Sequence, residues 1–230
     1  MSHTDPIRPL TRGIYTCLDN PARASYDCKA GYYERLVSTR WFNRFFWDTS
    51  RQDYQAFAAD AILRSSGTVL DIGCGGLAQT AHLYRATGND CILLDRSVEM
   101  LKIARARLSG GGRPLPAHIQ LLQGDAFQLP FPDNTFDTVC SFGTIHLFDN
   151  KQAFVNEALR VLKPGGRYYF YSMTSQRKIS RVFMSSLRLI HEFGEVYSVA
   201  QTVALFGQPS LQVKSYVIGS TVFIHGQKIK

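Results

Sequence analysis

Residues 68–76 read Thr-Val-Leu-Asp-Ile-Gly-Cys-Gly-Gly, an apolar run that ends in an acid and then in three glycines within four positions. No other stretch constrains the fold as much. The run predicts a strand. The glycines mark a turn where backbone can approach a ligand closely, because glycine has no Cβ to collide with it. The acid can accept hydrogen bonds from a cationic or hydroxylated ligand.

From here onward strands and helices alternate. Apolar runs predict strands over 69–72, 90–94, 119–123, 138–142 and 167–172, and helices over 77–87, 97–108 and 151–162 lie between them. Ser97 is placed to cap the second helix, and Lys163-Pro-Gly-Gly166 closes the third. Helices are also predicted over 176–193 and 196–206. A hairpin follows over 211–218 and 221–225, split by Gly219-Ser220. Such alternation makes a doubly wound α/β fold, a mostly parallel seven-stranded sheet covered on both faces, with an antiparallel C-terminal hairpin. Ligands of such sheets sit at the carboxyl ends of the strands, where the strand order reverses. Residues 1–20 are polar, contain prolines and are expected to be poorly ordered. Residues 21–64 look helical and rich in aromatics. The expected division is an N-terminal helical lid or extension over 1–64 and a ligand-binding domain over 65–230.

The 230 residues are 45% hydrophobic, enough for a core and too apolar for disorder. The start of the chain does not read as a signal peptide, and no apolar run approaches the ~18 residues of a membrane span, so a soluble, cytoplasmic protein is expected. Five cysteines without Cys-x-x-Cys spacing argue against a metal or disulfide framework. The net charge is +8, and residues 151–230 carry eleven Lys/Arg against three Asp/Glu. An excess placed so unevenly speaks of a partner or substrate.

Asp95 ends the second strand, 20 positions after Gly75, where an acid can hydrogen-bond the two hydroxyls of a ribose. Ala78 stands where a dinucleotide motif has its last small residue, so spacing alone leaves NAD open. Asp71, just ahead of the glycines, would repel a pyrophosphate and suits an amine. Asp125, after the third strand, could accept from the exocyclic amine of adenine. Ribose, adenine and an amino-acid moiety without phosphate describe S-adenosylmethionine.

The ordered set Val69-Leu-Asp-Ile-Gly-Cys-Gly75, Leu94-Asp-Arg-Ser97, Gly124-Asp-Ala126, Leu129-Pro-Phe-Pro132, Asn134-Thr-Phe-Asp-Thr-Val139 and Ala158-Leu-Arg-Val-Leu-Lys-Pro-Gly-Gly166 resembles the class I S-adenosylmethionine-dependent methyltransferases. The wording is most similar to the small-molecule branch that includes ubiquinone and menaquinone methyltransferases. The resemblance covers roughly residues 60–173. It implies a Rossmann-like fold and methyl transfer to a small molecule, lipophilic or anionic, with S-adenosylhomocysteine as product. It further implies that Asp71, Gly73, Cys74 and Gly75 line the methionine end and that Asp95 holds the ribose. Arg96 would flank the adenine, Asp125 and Ala126 would meet its edge, and Ser141 would face the methionine part. Where the family often has a third glycine, this chain has Leu77.

His146 follows the fourth strand, where it could act as a general base or be a packed or capping histidine. Tyr33, with Tyr26 as competitor, resembles a tyrosine that relatives fold over the cofactor. The aromatics at 41–47 could be core or part of a lid. In the helix 176–193, Ile179, Val182, Phe183, Ser186, Leu187, Ile190 and Phe193 form the expected apolar stripe, with Arg177, Lys178, Arg181 and Arg188 outside it. That pattern fits a solvated face, an anionic substrate, or peripheral contact with an anionic membrane. The basic pI of 9.4 raises RNA methylation as an alternative. No RNA-binding module accompanies it, so nucleic acid is disfavoured. A cofactor-binding protein without catalysis is the other alternative.

Overall fold

The computed structural model describes residues 7–19, 43–110, 112–189 and 193–229. Strand residues alternate between two buried faces. In β3 (Val69–Ile72), Leu70 and Ile72 pack on one side of the sheet and Val69 on the other. The same alternation continues in β4 (Cys91–Asp95), β5 (Ile119–Gln123), β6 (Phe136–Phe142) and β7 (Leu162–Met173). These five strands run parallel, and β8 (Leu211–Ile218) with β9 (Thr221–Lys228) closes the sheet antiparallel to β7. The seven expected strands are all present.

Two more precede them. β1 (Arg8–Thr11) and β2 (Ile14–Thr16) form a hairpin, and β2 pairs in parallel with β5, giving the order β1-β2-β5-β4-β3-β6-β7-β9-β8. Disorder expected over residues 1–20 is therefore corrected for 8–16. The turn residues Arg12 and Gly13 both have positive φ, the geometry that matches strand twist in a tight hairpin. Ile14 and Thr16 are 1% exposed, and β2 covers what would otherwise be an open edge at β5. A three-residue strand between prolines is too short for periodicity to reveal.

One face is covered by α1 (Arg51–Leu63), α2 (Ala81–Ala86) and α3 (Val98–Ser109), and the other by α4 (Lys151–Arg160) and α6 (Val199–Ala204). Caps set their starts. Ser50 and Asp53 form a capping box on α1, Ser97 accepts from Met100 N–H, and Ser198 pairs with Gln201 on α6. Lys163–Gly166, expected to close the preceding helix, is a bulge inside β7: pairing with β6 jumps from Leu162 to Arg167. Asp137 ties this bulge to the start of β3, accepting from Lys163 Nζ and Thr68 N–H. Of the first 64 residues, 8–16 extend the sheet and 51–63 pack on its face.

A third, smaller apolar cluster lies apart from both faces. Trp47, at the end of a π-helical turn (Asn43–Trp47), meets Met184 of α5 (Lys178–Leu189) and Phe193, with Leu147 and Met173 against them. Leu147 follows β6 and Met173 ends β7, so this cluster roofs the carboxyl ends of the strands.

Candidate active site

The strand order reverses between β3 and β6, and the glycine loop sits at that reversal. Gly73 and Gly75 have φ of +73° and +57°. The N–H groups of Gly73 and Cys74 both donate to Leu94 O at the end of β4, at 2.7 and 3.0 Å. A Cβ on Gly73 would strike Thr144 Oγ1, the hydroxyl that donates to Gly73 O. A Cβ on Gly75 would meet nothing within 4 Å, so the loop presents bare backbone to open space there. Leu77 also has a left-handed backbone, φ +58°, at the place of the absent third glycine. Its side chain is 3% exposed, so burial offsets a strain of roughly 1–2 kcal/mol. α2 consequently starts at Ala81, later than expected.

Asp95 joins two parts of the site. Its Oδ2 accepts from Gly75 N–H and its Oδ1 from Ser97 N–H, both at 2.8 Å. A carboxylate at this position is the kind of acceptor that ribose hydroxyls require. Arg96 Nη1 donates to Asp125 Oδ2 at 2.6 Å, and Phe127 N–H donates to Asp125 Oδ1. Ala126 packs against the core beside them. Asp95, Arg96, Asp125 and Ala126 thus lie together at the ends of β4 and β5.

Asp71 is 1% exposed, on the α1–α3 face of the sheet. Tyr84 of α2 donates to its Oδ2 at 2.7 Å, while Oδ1 has no hydrogen-bond partner. Burial pushes its pKa up to about 7; the Tyr84 bond opposes the rise, and the charge of Asp95 adds to it. An orphaned carboxylate oxygen beneath a glycine turn that opens on space fits a cationic, hydroxylated ligand such as S-adenosylmethionine. Burial, then Asp95 and Asp71, push the Cys74 thiol up, so it stays protonated.

Two expected site residues, Ser141 and His146, are buried. Ser141 is fully buried and donates its hydroxyl to Ile72 O at 2.7 Å, which braces β6 against β3. His146 is 2% exposed and lies against Phe193 with ring centroids 4.7 Å apart. Met173 N–H approaches its Nδ1 at 3.5 Å. Burial, then the charge of Lys151, lowers its pKa to about 3, so it is neutral at pH 7 and a weak base. Tyr33 and Tyr26 lie outside the described residues. Tyr84, Thr144 and Arg107, which reaches Gly76 O with a guanidinium nitrogen, support the loop without a sequence signal.

Residues 70–170 match the family described as "Methyltransferase domain". The chain is 32% identical to the sterol 24-C-methyltransferase of Pneumocystis carinii over 68% of its own length and 42% of that protein's. It is 38% identical to the ubiquinone/menaquinone biosynthesis C-methyltransferase UbiE of Pseudomonas putida over 53% of its length and 48% of that protein's. The matched stretch therefore spans less than half the length of these relatives. A chain from the complex between the Haloferax volcanii Trm112 methyltransferase activator and a methyltransferase shares the fold. Its TM-score is 0.69 at 20% identity, over 91% of this chain and 100% of that one. Over residues 70–170 the chain carries a methyltransferase domain of the class I, S-adenosylmethionine-dependent kind. Within that class it is similar to C-methyltransferases of sterol and quinone biosynthesis.

Proposed function

We propose that the protein transfers a methyl group from S-adenosylmethionine to a small lipophilic molecule. One observation carries the reading: Asp95 bridges the glycine turn and the start of α3, beside the open space at Gly75. Asp95 would hold the ribose hydroxyls. The turn 73–75 and Asp71 would receive the methionine end, and Arg96, Asp125 and Ala126 the adenine edge. Bound there, S-adenosylmethionine supplies an electrophilic methyl on a sulfonium. The protein's task is then to align an acceptor and exclude water, a contribution of ~7–11 kcal/mol in favourable systems.

The roof supports an apolar acceptor. Trp47, Met173 and Phe193 stand over the strand ends, and Thr144 links the glycine turn to the segment 145–147 beneath them. We read His146 as a positioning residue that carries Phe193. The N-terminal lid belongs to the same proposal, with Trp47 as its described part. A lipophilic acceptor partitions into bilayers, so peripheral contact with an anionic membrane through 176–193 goes with this reading. So does a cytoplasmic location; among the described residues no helix is long and apolar enough to cross a membrane.

Calorimetry with S-adenosylhomocysteine tests the donor half: saturable binding is expected, and its absence from the intact chain would sink the proposal. Transfer of a labelled methyl into solvent-extractable lipid tests the acceptor half. Label found only in aqueous products would overturn it.

A further inference from the structure

We propose that the outer face of the roof, formed jointly by α5 and the Asn43–Trp47 turn, is a docking surface for an anionic lipid bilayer. This rests on the lipophilic-acceptor reading for its purpose but not for its evidence.

Two sides of α5 differ. Phe183 and Leu187 of the expected stripe pack on the roof cluster with Phe193, while the opposite side of the helix carries exposed aliphatic groups. Ser180 and Met184 are buried, whereas Val182 is 70% and Leu189 82% exposed. The cause is polar. Ser180 Oγ donates to Phe46 O and lies 2.7 Å from Ser220 Oγ, which itself accepts from Arg177 N–H. Ser220 is held in turn, since its N–H donates to Trp47 O and its carbonyl accepts from Thr174 N–H. These bonds hold the helix with a hydroxyl inside and turn aliphatic side chains outward. Val182 and Leu189 are seven residues apart and so lie on one line of the helix. Phe45, 45% exposed, meets Phe46 edge-on at 5.0 Å, and Phe46 stacks on Phe183 at 4.0 Å, which joins the turn to α5.

Cations surround these apolar groups. Lys178, Arg181 and Arg188 lie on the exposed side of α5, and α5 contains no acid. Arg177 and Arg44 sit at the turn, where both reach Asp48, at 3.9 and 3.6 Å. Arg181 also donates to Ser175 O. An apolar centre within a basic rim is complementary to acyl chains beneath anionic headgroups. A second copy of this chain would bring like charges together across the interface. Nucleic acid would pair with the cations but offers nothing to Val182 and Leu189.

The test is flotation of the full chain with phosphatidylcholine vesicles, with and without phosphatidylserine. The chain should float with the mixed vesicles and hardly with phosphatidylcholine alone. Val182→Ser with Leu189→Ser should weaken binding by about tenfold. Each of Arg181→Gln and Arg188→Gln should weaken it by about fivefold and reduce its salt dependence. All sites are exposed, and an unchanged melting temperature confirms folding. Equal binding to both vesicle types overturns the proposal, as does serine-variant binding equal to the parent. Loss of binding to an excess of single-stranded RNA that leaves the serine variants unaffected would assign the surface to nucleic acid. Self-association abolished by the serine variants, without flotation, would assign it to a second copy. Vesicle binding is measured without methyl donor, so failure here and failure of donor binding are separate results.

Discussion

The glycine end of the site and the roof are built by opposite means. At the glycine end, backbone N–H groups are held by acceptors close in sequence or on the neighbouring strand: Gly73 and Cys74 by Leu94 O, Gly75 and Ser97 by the Asp95 carboxylate. In the roof, distant segments meet. Trp47, Met184 and Phe193 pack together, and the Gly219–Ser220 turn clasps them through hydroxyls. The proton linkage of the two regions is also opposite. Asp71 has its pKa raised from 3.8 to about 7, so its protonated form fits the empty fold and acid favours that region. His146 has its pKa lowered from 6.5 to about 3, so its neutral form fits and acid disfavours the roof. A donor-binding end that is costly without ligand thus faces an acceptor end that is costly when protonated.

Trp47→Ala is the strongest way to separate the two. It should cost about 3–5 kcal/mol in urea unfolding, as a large buried aromatic does. If the regions are independent, affinity for S-adenosylhomocysteine should stay within about twofold. A parallel loss of affinity would show that the roof and the glycine end are one unit.

Asp71→Asn should stabilise the ligand-free protein by about 2 kcal/mol at pH 8, since the wild type must ionise a buried acid and the amide need not. The advantage should grow as pH rises from 4 to 7 and level off above, followed by thermal melts. A constant difference across that range would remove Asp71 from the titration. Acid acts on the roof the other way. Below pH 6.5 it should weaken the roof by up to about 1.4 kcal/mol per pH unit. Hydrogen exchange at Met173 and Gly194, corrected for intrinsic rates, should therefore rise before exchange at Gly73 does.

Asp95→Ala removes the acceptor for two N–H groups and a ribose, and should weaken S-adenosylhomocysteine by at least about tenfold in calorimetry. Unchanged affinity would break the assignment of the glycine end. Leu77→Gly should have the smallest effect. It relieves roughly 1–2 kcal/mol of backbone strain and loses about 2–3 kcal/mol of burial, for a net loss near 1 kcal/mol. A net gain would mean that strain dominates the turn.

Legibility followed the same division. The strands at 69–72 and 119–123 were readable to the residue, and the Ser97 cap was visible, because period and cap chemistry are local. Asp95, Arg96, Asp125 and Ala126 were placed together for the same reason: in a parallel sheet, residues that end adjacent strands become neighbours. The bond from Ser141 to Ile72 O and the contact of His146 with Phe193 were not readable, because a strand end does not declare whether its side chain meets a ligand, a carbonyl or a ring. In the α5 stripe Phe183 and Leu187 pack inward with Phe193, whereas Val182 stays outside, because hydroxyl bonds to distant segments draw Ser180 inward.

The sequence by itself determined the doubly wound sheet, its seven main strands and the identity of the methyl donor. Each follows from periodicity or from charge at a fixed spacing. Only the tertiary structure decided that β2 seals the β5 edge, that Tyr84 and not solvent partners Asp71, and which side of α5 faces outward. Those outcomes depend on contacts between residues far apart in the chain, where packing and hydrogen bonding compete and no local pattern records the winner.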